Sequence, residues 1–139
     1  MPDPCPCGLP AAYDACCGRF HRGAAAAPTA ELLMRSRYTA FVVEDRAYLR
    51  ATWHPRTRPR RVDVGPGDRW TGLAVLSTTG GGLFDTTGTV TFRAQHRDGI
   101  VAEDSAFVRE DGRWLYLGPR HLDSATVSDP FTTPPRRRS

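Results

Sequence analysis

The chain has 139 residues and a net charge of +4, enough for one ordinary domain with short appendages and far from the strongly basic or acidic classes whose charge alone announces a partner. All 19 cationic residues are arginine, with no lysine, no asparagine and one isoleucine, Ile100; this is the imprint of a G+C-rich genome, so arginine abundance by itself argues nothing about function. No apolar run approaches the roughly 20 residues of a membrane span, and the polar start Met-Pro-Asp-Pro-Cys does not read as a secretory leader, so a cytoplasmic location with reduced thiols is expected.

Residues 1–23 read as a small knuckle. Cys5, Cys7, Cys16 and Cys17 fall within it, and no further cysteine follows. Two close pairs joined by a short loop can place four soft ligands at tetrahedral corners with little chain to order, which points to zinc. The alternative is two disulfides, but Cys-x-Cys and vicinal Cys-Cys are poor local bridges, so both bonds would have to cross the loop. Gly8 and Gly18 follow the two pairs, where backbone free to take positive φ turns N–H groups toward sulfur. His21 is a substitute ligand, although four sulfurs already suffice. Four thiolates leave no open position on the metal, so its role is to fold the knuckle rather than to activate water.

An alanine run ending at Pro28 divides the knuckle from a main domain over 28–122. Thr29 can cap a helix with Glu31 in its first turn and Met34, Tyr38, Phe41 and Val42 on one face. A second start signal at Asp45 precedes Tyr48, Leu49, Thr52 and Trp53 at helical spacing, and Pro55 stops it. Residues 56–68, rich in Arg, Pro and Gly, form a long loop or irregular helix. From Trp70 the period changes to two. Strands are expected over 70–78, 84–97, 100–109 and 113–118, with turns at Gly80-Gly81-Gly82, Asp98-Gly99 and Glu110-Asp111-Gly112. Helices followed by an antiparallel meander give an α+β domain whose sheet wraps the helical pair. Residues 123–139, with Pro134, Pro135 and Arg136 to Arg138, read as a disordered tail.

Several blocks carry a family resemblance. Cys5-Pro-Cys7-Gly8 through Cys16-Cys17-Gly18 resembles the SEC-C zinc motif. Leu33-Met34-Arg35-Ser36-Arg37-Tyr38-Thr39-Ala40-Phe41, Thr52-Trp53-His54-Pro55, Trp70-Thr71-Gly72-Leu73, Glu103-Asp104-Ser105-Ala106-Phe107 and Gly112-Arg113-Trp114-Leu115-Tyr116 resemble the YchJ (UPF0225) family. The resemblance spans roughly residues 5–118 and implies an NTF2-like fold, a cone of curved sheet around helices, in a family without an established activity. The chain departs from many SEC-C motifs in the loop between its cysteine pairs, Leu9-Pro10-Ala11-Ala12-Tyr13-Asp14-Ala15, whose only charge is negative. A second SEC-C motif, carried by longer relatives, is not expected here.

Two function classes follow. In the first, the chain is a zinc-stabilised adaptor whose knuckle contacts a protein or nucleic acid. In the second, the cone is a small-molecule or enzymatic pocket built from Tyr38, Tyr48, Trp53, His54, Glu103, Ser105, Trp114 and Tyr116. There an inward Glu103 beside aromatic rings would act as acid or base with a tyrosine or histidine partner. The blander account of the same residues is a core in which Glu103 pairs with Arg35 or Arg37, only one of which can face inward. His54, next to a helix-ending proline, reads as a capping or surface residue. The run His54-Pro-Arg-Thr-Arg-Pro-Arg-Arg61 can contact phosphates, but no recognition helix accompanies it and a solvated loop is the simpler reading. No nucleophile elbow or phosphate-cradling loop is evident. A homodimer through the outer sheet face is compatible with the fold.

Overall fold

The computed structural model describes residues 4–119; the expected tail at 123–139 lies outside them, as do the last three residues of the 28–122 domain. After a 3₁₀ turn at Tyr13–Ala15 come α1 (Cys17–His21), α2 (Ala30–Val42) and α3 (Arg46–Ala51). A second 3₁₀ turn at Gly67–Arg69 leads into β1 (Trp70–Gly80), β2 (Thr87–His96), β3 (Gly99–Glu110) and β4 (Arg113–Pro119). The strands form one antiparallel meander in the order β1-β2-β3-β4. Bulges at residues 70–72 and 75–77 of β1 and at Leu117 of β4, opposite residues 106–107 of β3, bend the sheet over the helices. The expected α+β, NTF2-like architecture is present.

Local chemistry explains the helix starts. Thr29 accepts from Leu32 N at 3.1 Å and Asp45 accepts from Tyr48 N at 3.1 Å, each satisfying an otherwise orphaned donor. α3 stops at Ala51, before Trp53, because the chain straightens and joins the sheet: Trp53 bridges Tyr116 in parallel, and His54 N donates to Tyr116 O at 2.8 Å. That short segment covers the outer edge of β4.

The core lies between α2 and the concave face of the sheet. Met34, Tyr38 and Phe41 meet Val90, Phe92, Ala94 and Phe107, all essentially inaccessible. α2 is buried on more than its apolar stripe, since Ser36, Arg37, Thr39 and Ala40 are also sequestered. The sheet takes one side and the cysteine knuckle takes another.

Two turn expectations need correction. β2 begins at Thr87 rather than at Phe84, because residues 81–86 are consumed by the turn and Phe84 projects into solvent. The β2–β3 hairpin forms, but its loop is Arg97-Asp98, and Gly99 (φ 145°) opens β3 opposite His96. At the last hairpin Asp111 and Gly112 both take positive φ, 53° and 78°, the geometry that matches strand twist in a two-residue loop.

Candidate metal centre

The sulfurs of Cys5, Cys7, Cys16 and Cys17 lie within 4.8 Å of one another, and all four residues are buried free thiols. Disulfides are therefore absent. A tetrahedral ion with bonds of about 2.3 Å to sulfur needs its ligands about 3.8 Å apart, and Cys7 Sγ and Cys16 Sγ stand at 3.7 Å. The donor set fits a tetrathiolate site. His21 is not part of it.

The thiols are in electrostatic conflict. Sulfur hydrogen bonds from Cys17 and Cys7 hold Cys5 far below the ordinary thiol range. Against the opposing bond from Cys17, the bond to Cys5 and burial push Cys7 up to about 12. Bonds to Cys5 and Cys7, then burial, push Cys17 higher still. One thiol ionises easily and its neighbours resist, and a divalent cation replacing the protons removes that conflict.

Local backbone geometry brings the two pairs together. Gly8, at φ 98°, turns the chain after Cys7 as expected. Gly18 serves differently: it is helical, and a Cβ there would sit 2.8 Å from Tyr13 O, so its role is close approach rather than positive φ.

Tertiary contacts latch the knuckle onto α2. Arg35 donates to Glu31 at 2.9 Å and to Cys7 O at 2.6 Å. Thr39 Oγ1 lies 3.9 Å from Cys5 Sγ. His21 Nε2 is 2.8 Å from Ser36 O, an acceptor only, so Nε2 carries the proton and Nδ1 accepts from Tyr13 OH at 2.7 Å. Ser36 Oγ gives its own proton to Leu33 O, which leaves Tyr48 OH, 2.7 Å away, as donor to Ser36. Phe20 belongs to the main core rather than to the cysteine cluster. Knuckle and sheet domain thus share one packed interior.

The other candidates separate into groups. Glu103 Oε2 accepts from Ser105 Oγ at 2.5 Å and Tyr116 OH at 2.6 Å, so three of them do converge. Arg37 is the inward arginine: it donates to Leu49 O at 2.9 Å and Thr52 Oγ1 at 2.7 Å, and lies 4.6 Å from the Tyr116 ring centroid and 5.1 Å from that of Trp53. One tyrosine therefore meets Arg37 on its face and Glu103 at its hydroxyl. Trp53 Nε1 is the buried side-chain donor without a partner among the described residues. Tyr38 packs edge-on against Trp70, and burial, opposed by a bond from the Gly72 backbone, pushes its pKa up to about 12.

His54 is buried rather than a surface residue. Its Nδ1 accepts from Arg56 N at 3.0 Å, which makes Nε2 the donor to Glu110 at 3.0 Å. The arginine loop is partly structural: Arg58 donates to Trp53 O and Arg61 pairs with Asp63, while Arg56 and Arg60 face solvent. Tyr48 and Trp114 lie away from the Glu103 cluster, on the wall of a groove of about 570 Å³ between α1, the alanine linker, α3 and β4. The His21 and Arg35 latches were not read from the sequence, because both join residues whose meeting depends on the docking of α1 on α2.

The family model described as YchJ, middle NTF2-like domain, matches residues 29–119. A UPF0225 protein of Streptomyces coelicolor is 62% identical over 120 residues, covering 86% of this chain and 97% of that protein. One from Corynebacterium glutamicum is 50% identical over 115 residues, covering 81% of this chain and 92% of that protein. The solution structure of a SEC-C motif containing protein from Rhodopseudomonas palustris superimposes with a TM-score of 0.70 at 31% identity, covering 86% of this chain and 99% of that one. With the meander, the helix order and the cysteine cluster all in agreement, the chain belongs to the UPF0225 family of YchJ-type proteins.

Proposed function

We propose that this protein is a zinc-stabilised binding module in which Cys5, Cys7, Cys16 and Cys17 hold one structural Zn²⁺ and the outer surface of the knuckle contacts a partner protein. The observation that carries the reading is the closed set of four buried sulfurs, held against α2 by the His21–Ser36 and Arg35–Cys7 hydrogen bonds. A filled tetrathiolate shell has no site for substrate or water, so the metal's contribution is shape. Soft sulfur ligands in a tetrahedral set favour zinc, and a cytoplasmic location suits thiols kept reduced. Pro10, Ala11, Asp14 and Ala15 are the exposed residues of the loop between the cysteine pairs. That loop carries no basic residue of its own, and among the described residues Arg22 alone reaches it, at Asp14 O; so sparse a positive charge favours a protein over a nucleic acid partner.

The test is affinity capture with the full chain and with an Ala11→Arg/Asp14→Arg variant that leaves every latch and ligand in place. The reading expects equal zinc content and melting temperature, with loss of a specific co-purifying protein. Identical co-purifying proteins from both would overturn it.

The orphaned Trp53 Nε1, beside Arg37 and Tyr116, favours a second reading: a small hydrogen-bond acceptor held in the cone, with Glu103 as its acid or base. Native mass spectrometry would then show a retained organic mass, released by Glu103→Gln.

A further inference from the structure

The turn joining β1 to β2 presents two large apolar side chains to solvent, Leu83 at 56% and Phe84 at 96% exposure. It is not a loose tip. Gly81 N donates to Thr87 O at 2.9 Å, Gly82 N to Asp85 Oδ2 at 2.9 Å, and Arg109 N to Thr86 O at 2.8 Å. The Arg109 guanidinium also binds the carbonyls of Leu83 and Asp85, and Ala30 N ties Gly81 O to the start of α2. The ordering entropy of presenting Phe84 is already spent within the fold, as in a preorganised interface anchor.

A receptor of matching character lies on the same side of the molecule. The groove of about 570 Å³ is lined by Phe20, Leu33, Ala47, Ala51 and Trp114. Trp114 adjoins both features: its Nε1 donates to Pro28 O at 3.2 Å beside the alanine linker, and its ring lies 6.0 Å from the Arg109 guanidinium that holds the turn. The charges are complementary as well. Arg22 and Arg113 in the lining outnumber its one acid, Asp45, while the exposed Asp85, whose carboxylate also accepts from Gly82 N, follows Phe84 directly.

A knob and a hole that adjoin on one face can satisfy each other twice across a two-fold axis, which closes the assembly instead of propagating it. We propose that a second copy of this chain is the occupant: Phe84 of each copy seats in the Phe20–Trp114 groove of the other, with Asp85 against Arg113 and Arg22. This dimer uses the hairpin end of the sheet rather than its outer face, and it stands independently of the knuckle's role as a partner surface. Its contact area is small, so association is weak and reversible.

Sedimentation velocity over a concentration series of the zinc-loaded full chain tests the proposal, using wild type, Phe84→Ser and Ala47→Glu. Phe84 is exposed, and Ala47 is exposed in the first turn of α3 where an acid is tolerated, so both variants should keep the wild-type melting temperature. The wild type should shift toward the dimer with rising concentration, and each variant should stay monomeric over that range. A wild type that remains monomeric into the millimolar range, or a dimer indifferent to either substitution, would overturn the proposal.

Discussion

Tyr116 is the residue on which the polar interior turns, since its ring faces Arg37 and its hydroxyl donates to Glu103. Tyr116→Phe removes a hydroxyl that donates to the half-buried Glu103 carboxylate. The expected cost is about 1–3 kcal/mol, read as a lower urea midpoint with unchanged slope. Ser105→Ala removes a second donor to the same oxygen and should act in the same direction. Two further tyrosines report burial. Desolvation pushes Tyr48 up to about 12, against the Ser36 bond, and Tyr38 likewise up to about 12. A folded-state pKa above the ordinary value of about 10 means the native chain holds those protons longer than the unfolded one. Their contribution is complete below pH 10 and is lost as pH rises toward 12. Absorbance at alkaline pH should therefore show Tyr38 and Tyr48 ionising late and together with unfolding, whereas ionisation near pH 10 without unfolding would contradict their placement.

At the scale of elements, α2 is the spine against which sheet and knuckle pack. Its C-terminus is closed by the 3₁₀ turn Gly67–Arg69: Gly67 N donates to Glu44 Oε2 at 3.0 Å, and a Cβ on Gly67 would stand 1.9 Å from Val42 O. Gly67→Ala must displace backbone, and a loss of at least about 1–3 kcal/mol is expected, seen as a lower melting temperature; an unaffected variant would mean that the turn is not seated there. The helix starts at Thr29 and Asp45 and the four-strand meander were legible because capping and periodicity are local signals. The cysteine cluster, a set that could hold a metal ion, was legible for the same reason, four thiols within 13 residues of chain from Cys5 to Cys17. Gly67, His21 and Arg35 were not, because each acts on a neighbour distant in sequence. Phe84 was misread as a strand residue because an aromatic after a glycine run carries the same strand propensity whether it faces a core or solvent. The alanine linker marks a boundary in the chain, and the packing of Phe20 across it into the shared core is a long-range contact that no local signal reveals.

At the scale of the whole molecule, that shared core changes what metal loss should do. A knuckle joined only by a linker would unfold alone and leave the main domain untouched. Here Phe20, His21 and Arg35 couple it to α2, so removing the metal should weaken the entire fold. Structural zinc in small sites contributes roughly 10–16 kcal/mol of binding free energy at neutral pH, more than enough to dominate a domain of this size. The most direct measurement is elemental analysis of the purified chain with calorimetric unfolding before and after chelation, alongside Cys16→Ser. The account predicts one zinc per chain and a single cooperative transition that falls in temperature when the metal is removed by either route. Absence of stoichiometric metal, or a main transition unchanged by its loss, would contradict it.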